Sequence, residues 1–254
     1  MTPDSLLALH EAGYRAVAER LGPGRLLDVG CGMAFDTAEL GAPQRPVFGV
    51  DYELRALSDA SRAIAGRGVR LVAGDAARLG FGTSTFDWVC SSHVAEHFAD
   101  PGPHLAELAR VVRGSGTCFV LTPNAPADFE NPFHVHPFVS TTLARALSAH
   151  FDDLWVGGID ATPAVKDDFA RRRARAGRLL RFDALGLRHR LPRSWYVAAY
   201  GRLLPLAYRL LARGDTGGNS GIGVEDFFVT DTVDDSTPVL FAVARKPRRP
   251  GTEG

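Results

Sequence analysis

The feature that most constrains the fold is a regular alternation of short β-rich runs with segments of helical spacing. The runs that we predict to be buried strands lie at residues 25–30, 46–51, 69–74, 86–91 and 117–122. Between them apolar residues recur every three or four positions, as at Leu105, Leu108 and Val111. Strands that alternate with crossover helices predict a parallel sheet covered by helices on both faces.

The pattern changes after the fifth strand. A helix over 140–149 and strands over 153–158 and 238–245 are predicted, but residues 160–225 do not alternate. This stretch has helical spacing and carries many arginines with few acids, so we expect a basic helical insertion. We expect the whole chain, residues 1–254, to form a single domain.

Three interpretations of the insertion remain open at this point. It is predicted to be a lid that closes over an acceptor. It could instead make peripheral contact with a membrane surface through Trp195, Tyr196 and Tyr200, or bind phosphate groups through its arginines. The last residues, 246–254, are polar and rich in proline and glycine, and predict a disordered tail.

Composition excludes several classes of protein. The chain has 29 basic and 29 acidic residues, so its net charge of zero does not indicate a nucleic-acid partner. Its three cysteines are scattered in apolar surroundings, which favours buried thiols over disulfides. No apolar run reaches the ~20 residues that span a bilayer, and the first residues lack a signal-peptide pattern. We therefore expect a cytoplasmic protein without a transmembrane segment.

The most informative stretch joins the first predicted strand to a glycine turn. It reads Leu-Leu-Asp-Val-Gly-Cys-Gly-Met-Ala from Leu26 to Ala34. Glycines at positions 30 and 32 allow a tight turn and let the backbone approach a ligand closely. In an open parallel sheet, ligands bind at the carboxyl ends of the strands, which is where this turn lies.

This stretch resembles the first motif of class I S-adenosylmethionine (SAM)-dependent methyltransferases, an acidic residue followed by x-G-x-G-x-G. Ala34 stands in place of the third glycine. A nicotinamide-binding turn requires G-x-G-x-x-G or A, which would place Phe35 at the last position and disfavours that cofactor. The resemblance implies a Rossmann-like, seven-stranded, mostly parallel sheet with helices on both faces, an antiparallel last strand and a helical insertion before it.

Further motifs of the same family follow in order. The second strand ends at Asp51, which by similarity accepts hydrogen bonds from the cofactor ribose, and Gly-Asp-Ala at 74–76 resembles the turn that contacts adenine. The resemblance implies SAM as the cofactor. The residues that it assigns to SAM binding are Asp28, Gly30, Gly32, Asp51, Tyr52, Asp75, Ala76 and Ser91.

A second motif, His-Val-Ala-Glu-His, begins at His93 and matches the H-x-x-E-H pattern of some zinc peptidases. A peptidase needs a further ligand, and the sequence offers no clear one. Ubiquinone-type O-methyltransferases show E-x-x-E-H here and hold a divalent cation, but His93 replaces the first Glu, which argues against a metal. We leave the metal ligands unassigned.

The loop after the fifth strand carries the predicted general base. An imidazole has a pKa close to working pH and can take a proton from an acceptor hydroxyl, so we assign this role to His134. Glu96 and His97 are the other candidate catalytic residues. The fourth strand ends in Ser-Ser-His rather than the Asn/Asp-Pro-Pro-aromatic motif of nucleic-acid amino methyltransferases.

We therefore predict methyl transfer to a small-molecule acceptor, to a hydroxyl of a specialised metabolite or sugar. The alternatives are carbon or nitrogen methylation of a membrane-associated lipid, and a SAM-binding protein without catalysis.

Overall fold

The structure is a computed structural model that describes residues 4–128, 134–180 and 221–248. Within these residues the chain forms one eight-stranded sheet with helices on both faces. The parts of the predicted insertion and tail at 181–220 and 249–254 lie outside the described residues, and so do Trp195, Tyr196 and Tyr200.

The sheet has the spatial order β3-β2-β1-β4-β5-β8-β6-β7. Strands β1 to β5 are parallel, whereas β8 runs antiparallel to both β5 and β6, and β7 runs antiparallel to β6. The strands are β1 (Leu26–Val29), β2 (Val47–Asp51), β3 (Val69–Ala73), β4 (Phe86–Ser92), β5 (Val112–Pro123), β6 (Phe151–Ala161), β7 (Phe227–Thr230) and β8 (Val239–Pro247).

The predicted fold class is confirmed, but the predicted strand number is wrong. β7 is an eighth strand, and it forms the edge of the sheet by pairing its four residues, Phe227 to Thr230, with β6. A strand of this length is too short to show a clear alternation of apolar and polar residues. The predicted insertion also begins too early, because β6 continues to Ala161.

Within the described residues, six helices cover the sheet. They are α1 (Asp4–Ala18), α2 (Phe35–Glu39), α3 (Leu54–Ala63), α4 (Gly102–Val111), α5 (Ser140–Ser148) and α6 (Pro163–Leu180), with short 3-10 helices at Ala95–His97 and Val224–Asp226. None of the helices in the described ranges has the length and apolar character that a membrane span requires.

Side chains of β1 show how the sheet divides the core into two layers. Successive strand residues point to opposite faces. Leu26 packs in the cluster that contains α1 and α6 residues, whereas Leu27 packs in the cluster of α4 and α5. All four residues of β1 are buried, as expected for a central parallel strand.

The predicted tail also begins too early. β8 continues through Pro247, and the backbone N–H of Arg248 donates a hydrogen bond to the His150 carbonyl at 2.8 Å. The Arg248 side chain donates a further hydrogen bond to Asp152 at 2.6 Å. These contacts to the start of β6 extend the ordered chain beyond the predicted end of the last strand.

Candidate active site

The glycine turn connects β1 to α2 at the carboxyl edge of the sheet. Gly30 and Gly32 have φ values of 82° and 51°, in the left-handed region that favours glycine. A Cβ on Gly30 would lie 2.3 Å from Val94 Cγ2, so no larger residue fits there without a shift. A Cβ on Gly32 would meet nothing within 4 Å, so the turn is open on that side.

The second predicted cofactor residue lies against this turn. Asp51, the last residue of β2, accepts a hydrogen bond from the Gly32 N–H at 2.9 Å through Oδ2 and one from the Glu53 N–H at 2.9 Å through Oδ1. Tyr52 follows it with 81% of its surface exposed. The structure therefore brings together Gly30, Gly32 and Asp51.

A third turn follows β3 and contains Asp75 and Ala76. The Asp75 carboxylate accepts a hydrogen bond from the Ala77 N–H at 2.8 Å. His104, which was not predicted from the sequence, supports this turn through a hydrogen bond to its backbone. Its Nδ1 lies 3.0 Å from the Ala76 carbonyl and must donate to it, so its Nε2 accepts the hydrogen bond from Ser91 Oγ at 3.0 Å.

Burial is the main reason that the pKa of His104 lies below its ordinary value, which keeps the ring neutral in this arrangement. Ser91 is itself fully buried. Its side chain therefore supports the turn through His104 instead of making the predicted cofactor contact. The sequence signal for this role is the position of His104, a histidine in the first turn of the helix that follows β4.

Asp28 also requires a correction. Its side chain has no exposed surface, and it accepts hydrogen bonds from the Tyr14 hydroxyl at 3.0 Å and the Thr37 hydroxyl at 2.6 Å. Burial raises its pKa to about 6. A carboxylate enclosed in this way is not available to a ligand, so Asp28 connects secondary-structure elements rather than binding the predicted cofactor.

Beyond β4 the character of the site changes from backbone groups to imidazoles and carboxylates. Glu96 has 2% of its surface exposed; its Oε2 accepts a hydrogen bond from the Thr122 hydroxyl at 3.0 Å, and its Oε1 lies 3.5 Å from His93 Nδ1. Burial alone would raise the pKa of Glu96, but the hydrogen bond and charge of His93, with the charge of His97, hold it below the ordinary value.

The backbone of Glu96 positions the loop that carries the predicted base. Its carbonyl accepts hydrogen bonds from the N–H groups of Val135 and His136 at 2.9 and 3.0 Å. This places His134 Nε2 4.0 Å from Glu96 Oε1. On the other side of the ring, His134 Nδ1 donates to Asp128 Oδ2 at 2.6 Å.

Asp128 was missed in the sequence because it lies in an irregular segment with no periodicity. Its carboxylate fixes the tautomer of His134 with the proton on Nδ1, which leaves Nε2 as the atom that can accept a proton. Both side chains are largely shielded from solvent, with 15% of His134 and 21% of Asp128 exposed.

These groups line a cavity of about 340 Å³. The lining residues are Leu6, Leu9, His10, His93, His97, Pro123, Ala127, Asp128, His134, Pro238 and Val239. The rings of His10 and His93 have centroids 4.3 Å apart, and the charge of His93 together with burial lowers the pKa of His10 to about 3. His93 adopts a φ of 57°, which is uncommon for a residue with a side chain and frequent at functional sites.

One group of residues in the described ranges could hold a metal ion. The ligand atoms of Glu96, His97 and His134 all lie within 4.8 Å of one another. Imidazole and carboxylate groups are ordinary ligands of divalent metals. His93 is not part of this group, so the set differs from the one that the H-x-x-E-H pattern suggests. The metal ligands stay unassigned, since the sequence argues against a metal and this geometry alone does not test that expectation.

The geometry agrees with comparisons to known proteins. Residues 27–120, from β1 into β5, match the family model described as a methyltransferase domain. A probable SAM-dependent methyltransferase of Mycobacterium tuberculosis is 31% identical over 169 residues, which cover 64% of this chain and 61% of that protein. This part of the chain is therefore a SAM-dependent methyltransferase domain.

Two other proteins extend the comparison of the methyltransferase domain. A demethylmenaquinone methyltransferase of Corynebacterium kroppenstedtii is 36% identical over 118 residues, covering 44% of this chain and 50% of the relative. The chain thus spans about half to three-fifths of the length of these curated relatives. A solved SAM-dependent methyltransferase of Thermotoga maritima has 16% identity and a TM-score of 0.59, covering 94% of this chain and 89% of the other; this likeness shows the fold.

The turn fits the cofactor of this class. Gly32 leaves room on the ligand side, and the Asp51 carboxylate lies at the edge of the same opening. The structure therefore brings Gly32 and Asp51 into contact beside an open space, with Asp28 and Ser91 buried. Direct contacts of Asp51, Tyr52, Asp75 and Ala76 with SAM stay predictions.

Proposed function

We propose that the protein transfers the methyl group of SAM to a hydroxyl oxygen of a small molecule with a largely apolar body. The pairing of His134 with Asp128 at 2.6 Å, in the wall of a cavity that His93 also lines, is the observation that carries the proposal. Val94, the neighbour of His93, lies against Gly30 of the glycine turn. A histidine held by a carboxylate is the usual arrangement of a general base.

The cofactor side of the reaction depends on alignment. When bound, SAM supplies an electrophilic methyl group on a sulfonium, and Gly30, Gly32 and Asp51 hold the adenosyl part at the sheet edge. Holding two reactants in line contributes ~7–11 kcal/mol to lowering a barrier. Helix α1 covers part of the cavity and helps to exclude water from the reacting centre, because its residues Leu6, Leu9 and His10 belong to the lining.

The acceptor side depends on proton removal. His134 Nε2 takes the proton of the acceptor hydroxyl, which makes the oxygen a better nucleophile, and the imidazolium that forms is stabilised by Asp128 on one side and by the nearby Glu96 carboxylate on the other. A positioned base of this kind accelerates a reaction ~10²–10⁴-fold. Glu96 and His97 thus contribute to the electrostatics of the base.

The walls of the cavity favour an acceptor with apolar surface. Leu6, Leu9, Pro123, Pro238 and Val239 form one part of the lining, and the imidazoles are grouped in the other. A sugar carries hydroxyls on all sides, and burying them against apolar walls leaves hydrogen bonds unmade. We therefore prefer a ring compound with one ionisable hydroxyl to the sugar considered from the sequence.

A second candidate is transfer to a carbon atom. The relative named as a demethylmenaquinone methyltransferase supports it, because it matches the region that contains the glycine turn. Loss of a hydroxyl proton also activates the neighbouring ring carbons, so His134 would serve as the base in this reaction as well. The product distinguishes the two candidates, since an ether and a carbon-bound methyl group differ in their NMR shifts.

The direct test supplies the protein with SAM labelled in its methyl group and with a fractionated mixture of small aromatic hydroxyl compounds. The native protein should transfer label to at least one fraction, and His134→Ala should lose most of that transfer. His150→Ala is the matched control, because His150 precedes β6 at the amino edge of the sheet, opposite the site. Equal transfer by all three proteins would contradict the assignment of the base.

A further inference from the structure

A buried carboxylate joins three elements of the fold directly beneath the cofactor turn. Asp28 of β1 accepts hydrogen bonds from Tyr14 of α1, at 3.0 Å to Oδ2 and 3.3 Å to Oδ1, and from Thr37 of α2 at 2.6 Å. Asp28 is fully buried, and Tyr14 has 8% of its surface exposed. Leaving a buried carboxylate without these partners would be costly, so the contacts define the position of both helices.

The position of Asp28 connects the two halves of the site. Two residues after it the chain enters the turn at Gly30, while α1 carries Leu6, Leu9 and His10 on the wall of the acceptor cavity. α1 also packs closely on the sheet, because a Cβ on Gly13 would lie 2.7 Å from Leu121 Cδ2. The Tyr14 hydrogen bond therefore joins β1, two residues before the turn, to the helix that forms part of the cavity wall.

We propose that Tyr14 and Asp28 are positioning residues that hold α1, and with it one wall of the acceptor cavity, against the cofactor turn. A ligand bound at the turn then reduces local opening of α1. The inference rests on the proposed function only in placing the adenosyl ligand at the turn. It assigns to Asp28 a coupling role in place of the cofactor contact that the family motif implies.

A merely structural role predicts a different result. If Tyr14 only stabilises the fold, its loss lowers the melting temperature and leaves the response of α1 to the ligand unchanged. If Tyr14 transmits the effect of the ligand, its loss uncouples α1 from the turn while the ligand still binds. Hydrogen exchange of the α1 amides separates the two, because it reports local opening of the helix.

The experiment uses S-adenosylhomocysteine (SAH), the demethylated product of the cofactor, as the probe on the full chain. In the native protein, saturating SAH should slow exchange of the amides of residues 8–18 about tenfold, since a ligand that orders one element reduces opening of an element coupled to it. Tyr14→Phe keeps the ring but removes the hydroxyl, and its exchange should slow less than about twofold.

Two further variants control the result. Thr37→Val removes the other hydroxyl on the same carboxylate but leaves the Tyr14 hydrogen bond in place, so it should keep the native slowing. Asp28→Asn retains an oxygen that accepts from Tyr14, and it should keep at least half of the effect. Native-like slowing in Tyr14→Phe, or loss of slowing in Asp28→Asn, would overturn the inference.

Calorimetry of the same samples with SAH keeps the two proposals apart. No binding by the native protein would refute the cofactor site, and with it the proposed function. Binding without a change in the exchange of α1 would refute only the coupling through Tyr14 and Asp28.

Discussion

The two halves of the site are built in different ways. The cofactor half lies at the carboxyl ends of β1 to β3 and consists of a glycine turn, the half-buried carboxylate of Asp51 and the exposed carboxylate of Asp75. The acceptor half lies beyond β4 and β5 and consists of imidazoles and carboxylates from α1, the Ala95–His97 turn and the loop at His134. The first half is built on a glycine turn with a carboxylate at its edge, whereas the second groups side chains that can move protons.

Shifted pKa values occur in both halves, because burial raises the pKa of Asp28 and lowers that of His104 beneath the cofactor turns. His10 and Glu96, both on the acceptor half, are buried beside other titratable groups, and each has a pKa below its ordinary value. Burial of several ionisable groups around one cavity is typical of catalytic sites. The comparison therefore predicts that substitutions in the acceptor half change the rate and that substitutions in the cofactor half change cofactor affinity.

The largest effect is expected for His134→Ala. Removing the general base should lower the rate of methyl transfer ~10²–10⁴-fold, while SAH affinity stays within about twofold because the glycine turn is untouched. Single-turnover kinetics and calorimetry on the same preparation measure the two quantities. A parallel loss of SAH affinity would show that the two halves are not separate.

Asp51→Ala should show the opposite pattern, in which SAH affinity is lost. Losing charge-assisted hydrogen bonds to two ribose hydroxyls, at ~1.5–3 kcal/mol each, should weaken SAH binding at least about 100-fold. Asp59→Ala is the matched control, since Asp59 lies on α3 and pairs with Arg62 away from the turn. If both variants bind SAH equally well, Asp51 does not hold the ribose.

The next effect concerns Asp28, whose pKa is raised to about 6 from 3.8. Between these pH values the folded protein holds a proton that the unfolded chain releases, so this group's stabilising contribution decreases as pH rises. The shift of about two pKa units corresponds to at most ~3 kcal/mol. Asp28→Asn removes this titration and leaves the other groups in place.

Denaturant unfolding of native protein and Asp28→Asn across pH 4–7 isolates this contribution. The lowered pKa values of His10 and His104 act in the opposite direction, but they are common to both proteins and cancel in the difference. Relative to Asp28→Asn, the native protein should lose stability as pH rises. If the free energies of unfolding of the two proteins change in parallel with pH, Asp28 is not buried as an ionisable group.

The smallest effect compares the two glycines of the turn. Both have positive φ, so alanine at either costs ~1–2 kcal/mol in backbone strain. Gly30→Ala adds a clash with Val94, which should raise the loss of stability by a further ~1–3 kcal/mol, whereas Gly32→Ala has open space. Thermal unfolding of the two variants measures the difference, and equal melting temperatures would contradict the geometry at Gly30.

The two halves also differ in how far the sequence predicts them. The cofactor half follows from contiguous segments, because the glycine turn directly follows one buried strand and Asp51 is the last residue of the next. The sheet edge then brings these segments together without further information. The sequence pattern could not show that Asp28 points to the α1 face, since a buried acid and a ligand-binding acid look the same in a motif.

The acceptor half is less predictable because its geometry depends on the loops. His134 was predicted from the chemistry of imidazole, but its partner Asp128 lies six positions earlier in a loop without periodicity. His10 is far away in sequence, and its helix could equally have presented it to solvent. Only the packing of α1 on the sheet brings it against His93.

The central claim is that the turn at Gly30 and Gly32 and the carboxylate of Asp51 form one adenosyl site. Calorimetric titration of the purified chain with SAH tests it most directly. We expect saturable binding of SAH at one site per chain, and competing SAM should displace it. The absence of binding heat at SAH concentrations that saturate other methyltransferases, with the protein shown to be folded, would contradict it.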